Sequence, residues 1–363
     1  MTQLASPRRG RFLAYRIKAM DRAIPIENFY YLLCYAYDQL PDKELTKIDS
    51  ENCPDSFNLL ALALARSFRA LARKGLETQY LEKTEETPRL RGRVLVHESR
   101  RRMIDRQARM LCRFDELSVD CLPNRILRST CDLLLHSRGL TSPVRKELRT
   151  VRQIFSAVRS IHVTESMCAR VRIHRNNRRY RLPIGVCRLI LRSLSPLERT
   201  GKNEFFDTLM EEKTMARVFE SFVRNFARIH LPSVKVGARK IDWEGEIEEE
   251  ARAVIPIMQT DVTLESKEEK RIIDCKFYKE AMTSYYGGEK VRSSHLYQLT
   301  AYLRNASVMP GWENVTGQLL YPAVKHNLNL SFSLNSFPIK VSSVDLDQPW
   351  QSIEKQLLDL LRN

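Results

Sequence analysis

The chain has no apolar run approaching the ~20 residues needed to span a bilayer, so no role as a channel, transporter or membrane receptor is expected. Its N-terminal basic stretch, Pro7-Arg8-Arg9-Gly10-Arg11, is not followed by the apolar core of a secretory signal, and a cytoplasmic location is expected. None of the eight cysteines forms a Cys-x-x-Cys pair. That spacing argues against a zinc ribbon or redox dithiol and for reduced, mostly buried thiols. No Gly-x-x-x-x-Gly-Lys-Ser/Thr loop is present, so the chain carries no P-loop motor of its own. Internal repeats and low-complexity tracts are absent too. What remains is 363 residues, 43% of them hydrophobic, enough for two domains with real cores.

Charge divides these domains unequally. Residues 1–200 hold 39 Lys+Arg against 21 Asp+Glu, whereas 201–363 hold 21 against 23. The whole positive excess therefore lies in the first part. It is densest at Arg170, Arg172, Arg175, Arg178, Arg179 and Arg181, beside Tyr180. Arg175, Arg178 and Arg179 are expected to meet DNA phosphates or an acidic partner, solvated surface being the alternative.

The first part reads as α+β. Residues 1–22 form a basic, weakly patterned arm, and 23–200 a domain. Pro25 opens a helix, Ile26–Leu40, with Phe29, Tyr30, Leu33 and Tyr37 near one face. A second helix, Phe57–Lys74, stops at Gly75. Strand-like alternation follows at Thr78–Glu82, Arg89–His97 and Met110–Val119, then helices at Asn124–Arg138, Pro143–Val158 and Tyr180–Ser193. The Pro, Gly and polar residues of Ser195–Asn203 make the expected linker to a second domain, 201–363.

The chemistry is concentrated in that second domain. Asp261 ends an apolar run, and Ile272-Ile273-Asp274-Cys275-Lys276 closes another thirteen residues later, the distance of a hairpin return. Residues i and i+2 of a strand share a face, so Asp274 and Lys276 project together while Cys275 turns into the core. Two adjacent carboxylates repel unless a cation lies between them, and hard oxygen ligands suit Mg²⁺. A metal lowers the pKa of bound water and neutralises phosphate charge. An ammonium beside that water polarises it. The pattern thus points to phosphodiester hydrolysis by Asp261, Asp274 and Lys276.

The flanks carry a resemblance. A helix over Glu211–His230, strands over Ser233–Ile241, Ile255–Leu264 and Arg271–Phe277, a helix over Lys290–Ala306 and a strand over Gly317–Tyr321 follow in the core order of the PD-(D/E)xK nuclease fold. An α/β domain of that restriction-endonuclease-like class is expected. Gln298 and Tyr302 share a helix face and resemble an auxiliary motif of RecB-like nucleases. Nucleases of this class often take another metal-binding carboxylate from the first helix. Glu220 stands there, but off the middle of the apolar stripe, and either overlooks the cleft or faces water.

A longer likeness runs from about residue 24 to the C-terminus. Pro25 to Ala36 resembles the opening helix of McrC, the nuclease subunit of McrBC-type restriction systems. Arg91-Gly92-Arg93-Val94, Phe114-Asp115-Glu116-Leu117 and Leu122-Pro123-Asn124-Arg125-Ile126 are similar to later McrC segments. So are Met258–Val262, Asp274-Cys275-Lys276-Phe277-Tyr278-Lys279, Gly288-Glu289-Lys290 and Leu296-Tyr297-Gln298-Leu299. Cys275 stands where a small residue is usual. The resemblance implies a Mg²⁺-dependent endonuclease subunit acting on double-stranded DNA with methylated cytosine. It implies a partner, a hexameric McrB-like AAA+ GTPase, stimulated by the N-terminal part. Asp261 and Asp274 would bind metal, with the Cys275 carbonyl as a further ligand; Lys276 would polarise water, and Gln298 and Tyr302 would shape the site. The alternatives are a RecB-like repair or recombination nuclease and a regulatory adaptor that activates the motor.

Overall fold

The computed structural model describes residues 24–38, 53–196, 203–205, 212–252, 254–277, 283–285, 288–322 and 328–362. The expected N-terminal arm, the last two residues of the first expected helix, the middle of the expected linker and Tyr278-Lys279 lie outside them. The chain separates into two compact units, Leu60–Asp207 and a second made of Met1–Leu59 with Thr208–Asn363.

The Leu60–Asp207 unit pairs helices with a small sheet. Most of α2 (Ser56–Lys74) lies here, followed by strands β1 (Gln79–Thr87), β2 (Arg93–Val94) and β3 (Met110–Ser118) in the antiparallel order β1-β3-β2. Helices α3 (Leu122–His136), α4 (Ser142–Arg152) and α5 (Arg181–Ser193) complete it. Their apolar faces bury Leu127, Leu134, Leu148 and Ile190 completely, and Phe68 packs on Phe155 at 4.6 Å. The expected strand Arg89–His97 shrinks to Arg93–Val94 and then turns into a helix, Val96–Arg101. Gly92 explains the break: its φ is +61°, and a methyl group there would run into the Arg113 carbonyl oxygen and Phe114 Cβ. Gly92→Ala is therefore expected to cost roughly 1–3 kcal/mol, measurable as a lowered urea midpoint with an unchanged slope.

The ends of the expected linker pair as antiparallel strands, Leu194–Pro196 with Asn203–Phe205, in the last residues of this unit. Tyr180 stands apart from the arginine-rich surface around it. It is fully buried, its hydroxyl donating to Asn124 Oδ1 at 2.6 Å and accepting from the Glu77 N–H at 2.7 Å. The ring is a core pillar and offers no face to a nucleic acid. Arg175 and Arg178 are exposed beside it, while Arg179 is half-buried with an unpartnered Nε.

The other unit is built on a six-stranded mixed sheet. Helix α6 (Glu212–His230) leads into β4 (Lys235–Gly237), β5 (Val262–Glu265) and β6 (Lys270–Cys275); helix α7 (Ser293–Ser307) follows, then β7 (Thr316–Pro322), β8 (Asn329–Leu334), β9 (Phe337–Val344) and α8 (Trp350–Arg362). The strand order is β8-β9-β7-β6-β5-β4. β6, β7 and β9 run parallel, which requires crossovers, and α7 makes the first. Short turns join the antiparallel pairs β5/β6 and β8/β9, while β4 reaches β5 through a longer connection; Ile, Leu and Val fill the parallel centre, covered on both faces.

Alternation along β6 and β7 assigns the faces. Ile272, Leu319 and Tyr321 pack with Leu299, Tyr302 and Leu303 of α7. Phe277, one residue out of phase, meets Phe219 of α6 at 6.1 Å between ring centroids. A mixed α/β architecture around a central sheet is thus as expected.

The first helix, α1 (Ile26–Ala36), belongs with this sheet unit and not with the N-terminal domain in which its sequence position had placed it. Three contacts account for this. Asn28 Nδ2 donates to the carbonyls of Leu346 and Gln348 at 2.9 and 2.8 Å. Tyr31 stacks on Trp350 at 4.5 Å. Asn225 Nδ2 donates to the Tyr35 and Ala36 carbonyls, both at 3.0 Å, satisfying helix-end acceptors that would otherwise be orphaned.

Candidate active site

The C-terminal end of β6 places the functional side chains. Asp274 is 1% exposed, on the α7 face between the buried Ile272 and the position of Lys276. Cys275 faces the opposite way and is buried; burial pushes its thiol well above the ordinary range, so the sulfur is an inert core group. Asp261 arrives from a bend just before β5. That bend is pinned, because the Thr260 N–H donates to the Arg239 carbonyl at 3.0 Å and Thr260 Oγ1 accepts from the Arg239 N–H at 2.9 Å. Asp261 Oδ2 then accepts the Cys275 N–H at 2.8 Å. The two carboxylates expected together are thereby brought to one strand end.

Lys276 is equally fixed. Its Nζ lies 2.8 Å from Asp274 Oδ2 and donates to Gln298 Oε1 at 2.7 Å. Gln298 Nε2 in turn donates to Tyr302 Oη at 2.8 Å, and that hydroxyl donates to the Gln259 carbonyl at 3.1 Å. The i, i+4 spacing of Gln298 and Tyr302 thus closes a relay from the lysine, across one helix face, to the residue two before Asp261. The relay ties together the segments bearing both carboxylates and the ammonium.

Charge in the site is not balanced by protein groups. Asp274 Oδ1 is buried without a hydrogen-bond partner, and Oδ2 meets Lys276 as an ion pair lacking hydrogen-bond alignment. Burial, opposed by Lys276 and reinforced by Asp261, pushes the Asp274 carboxyl above the usual carboxylate range; burial also pushes that of Asp261 up. A buried carboxylate with an orphaned oxygen is costly unless a further cation reaches it. The donor set therefore fits a hard divalent ion. The Cys275 N–H points at Asp261, which puts its carbonyl on the same strand edge, available as another oxygen donor.

Glu220 resolves toward this cleft. It is half-buried on α6, and burial first, then Asp261, hold its carboxyl up at about 7. Among the described residues no three Asp, Glu, His or Cys side chains already stand together as an ion cage, and Glu220 stays a candidate ligand at the edge of the cleft. The helix carries Glu220 near enough to feel the carboxylates without joining them. Arg224, one turn further along, moderates the charge on both Glu220 and Asp261.

Two residues here escaped sequence reading. Arg224 was one arginine among sixty basic residues, and only its i, i+4 relation to Glu220 could have marked it. His295 lay on an apolar helix face, where a histidine is usually a core residue.

These carboxyls have a consequence for stability. A carboxyl titrating higher in the folded than in the unfolded chain weakens the fold as pH rises from about 4 toward 7. Without divalent metal, Asp274→Asn is therefore expected to raise Tm at pH 8 by roughly 2–4 °C, a gain of about 1 kcal/mol. The gain should shrink toward pH 4, and Mg²⁺ should stabilise the unaltered chain alone. Melting curves across that pH range, with and without Mg²⁺, check both.

Residues 20–322 match the family described as McrBC 5-methylcytosine restriction system component. The chain belongs to this family. Among curated relatives, the type IV methyl-directed restriction enzyme EcoKMcrBC of Escherichia coli strain K12 is 30% identical over 338 residues, covering 93% of this chain and 97% of the relative. Among solved structures, a chain from the refined half-complex of the tetradecameric assembly of Thermococcus gammatolerans McrB AAA+ hexamers with bound McrC matches with a TM-score of 0.56. It is 18% identical and spans 93% of this chain and 76% of its own length. At that identity the likeness speaks for the fold alone. Within the family match lie α1, the Leu60–Asp207 unit and every residue of the relay, whereas β8, β9 and α8 fall beyond it.

Proposed function

We propose that this McrBC-family chain is the endonuclease subunit of a restriction complex, a PD-(D/E)xK-type enzyme that hydrolyses phosphodiesters of double-stranded DNA containing modified cytosine. The observation carrying this reading is the buried, orphaned Asp274 carboxylate beside Asp261 and Lys276. Asp261, Asp274 and the Cys275 carbonyl would hold Mg²⁺, with solvent and substrate oxygens completing its shell. When bound, the ion supplies charge neutralisation and an acidified water. The chain's own residues do the rest. Lys276, aimed by Asp274 and Gln298, holds the attacking water and meets charge developing on the phosphate. The Gln298–Tyr302–Gln259 relay keeps that ammonium in register with Asp261. Glu220, its carboxyl held up by burial and by Asp261, lines the edge of the cleft.

The partner is a McrB-like AAA+ GTPase. Relatives assemble in this way, as the Thermococcus complex of McrB hexamers with McrC states, and this chain has no P-loop. The Leu60–Asp207 unit offers the docking and GTPase-stimulating surface. Tyr80 and Leu117 face each other across β1 and β3 at 73% and 56% exposure, an apolar pair that a free monomer would be expected to cover. Supercoiled DNA separates this reading from an end-directed repair nuclease, since only an endonuclease linearises a closed circle. With partner, GTP and Mg²⁺, a plasmid carrying methylated cytosine should be cut and an unmodified plasmid spared. Cutting that needs free ends would overturn the proposal.

Arg175, Arg178 and Arg179 allow a smaller test. Exchanging all three for alanine should weaken binding to DNA or to the motor. If DNA is the ligand, each lost phosphate contact should lower the salt slope by roughly 0.9. Titrating the motor without DNA distinguishes the two ligands, and unchanged affinity for both leaves the arginines as solvated surface.

A further inference from the structure

His295 is the third residue of α7 and 3% exposed, on a face otherwise filled by Leu299, Tyr302, Leu303 and Ala306. An aliphatic side chain would satisfy that position by packing alone. The imidazole instead makes a directional contact, Nδ1 lying 2.8 Å from the hydroxyl of Tyr321, itself 1% exposed on β7. Tyr321 follows Leu320, whose carbonyl accepts the backbone N–H of Lys276 at 2.9 Å. One turn along α7 from His295, Gln298 accepts the other end of the same residue, the Lys276 ammonium, at 2.7 Å. β7 therefore anchors the main chain of Lys276, and α7 anchors its charge. The His295–Tyr321 contact is a polar bond joining α7 to β7 beside both anchors. Burial, then the Lys276 ammonium and Arg292, hold the imidazole down to about 4, so it stands uncharged against the lysine.

From this geometry we infer that His295, bonded to Tyr321, is a positioning residue for Lys276: it fixes the seating of α7 on β7 so that Gln298 Oε1 meets the ammonium. The inference rests on the assignment of Lys276 to phosphodiester hydrolysis. His295 touches no reacting atom; it acts through α7. A shift of the helix start by a fraction of an ångström would loosen the Gln298 contact and leave the lysine held by Asp274 alone, its direction toward a substrate phosphate no longer fixed.

The test uses the full chain with its motor, GTP, Mg²⁺ and modified supercoiled DNA, under single-turnover conditions. His295→Leu fills the same volume without the bond and should slow cleavage at saturating DNA roughly tenfold, with DNA affinity changed less than about twofold. Tyr321→Phe removes one oxygen from the same contact and should do likewise, keeping the test open if the leucine variant folds poorly. The double variant should be no slower than either single one. His295→Asn places an amide near the position of Nδ1 and should recover most of the rate. A wild-type rate for His295→Leu and Tyr321→Phe, with Lys276→Ala inactive, overturns the inference alone. So does slowing that tracks a lowered Tm and is not rescued by asparagine. Full cleavage by Lys276→Ala removes the underlying assignment, and the inference with it.

Discussion

Lys276→Ala is expected to lower DNA cleavage by the complete complex about a hundred- to a thousandfold, the loss typical of removing a preorganised charge contact to the transition state. The size follows from the local geometry. Lys276 is 7% exposed and held between Asp274 and Gln298, so no mobile surface cation replaces it. Its removal also takes away the cation that moderates Asp274, while Arg224 still moderates Asp261 and Glu220. Protonation of the site then competes with metal, and the residual activity should be poorer at pH 6 than at pH 8. Lys276→Arg should not rescue, since a planar guanidinium cannot occupy the point between a carboxylate and an amide oxygen. Partner binding and GTP hydrolysis should change little. Single-turnover rates at the two pH values check the claim; cleavage by Lys276→Ala within tenfold of the unaltered chain would refute it.

The second large effect is dependence on the motor. The isolated chain with Mg²⁺ is expected to cut DNA at under about 1% of the rate reached with motor and GTP, because tethering replaces a weak encounter with a high effective concentration. Residues 201–363 offer a polyanion little attraction, with 21 basic against 23 acidic side chains. Six of the acids and none of the bases lie in Asp242–Glu250. That stretch follows Ile241, which pairs with Met258 three residues before Asp261. Residues 1–200 carry the positive excess. Rapid cleavage by the chain alone, indifferent to any GTPase, would favour a free-standing nuclease.

Much of this site could be read from the sequence because its parts obey short-range rules. The period of two put Asp274 and Lys276 on one face and Cys275 on the other, as β6 has them. The helical period paired Gln298 with Tyr302 and laid Phe219, Phe222 and Phe226 along one side of α6. What escaped depends on partners far along the chain. Periodicity says which face of α1 is buried but not against what. Trp350, Leu346 and Asn225, which capture it, lie some two to three hundred positions away. The same limit hid the role of Tyr180, whose hydroxyl is satisfied by Asn124 and Glu77 and whose arginine neighbours gave it a misleading context. Glu220 was ambiguous on a helical wheel because it sits at the margin of the apolar stripe. Only the position of Asp261, set by the pinned bend at Thr260, turned that margin into the edge of a cleft. Gly92, by contrast, was visible as a residue in a motif but not as the end of a strand, since its positive φ follows from the approach of β3.

The central claim is that Asp274 and its neighbours cut DNA while a different part of the chain serves the motor. It is tested most directly by following DNA cleavage and GTP hydrolysis in one reaction, using complexes assembled with the unaltered chain or with Asp274→Asn. The expected result is linearised methylated plasmid only with the unaltered chain, and equal GTP hydrolysis with both. Plasmid cut at the same rate by Asp274→Asn would contradict the assignment of the site.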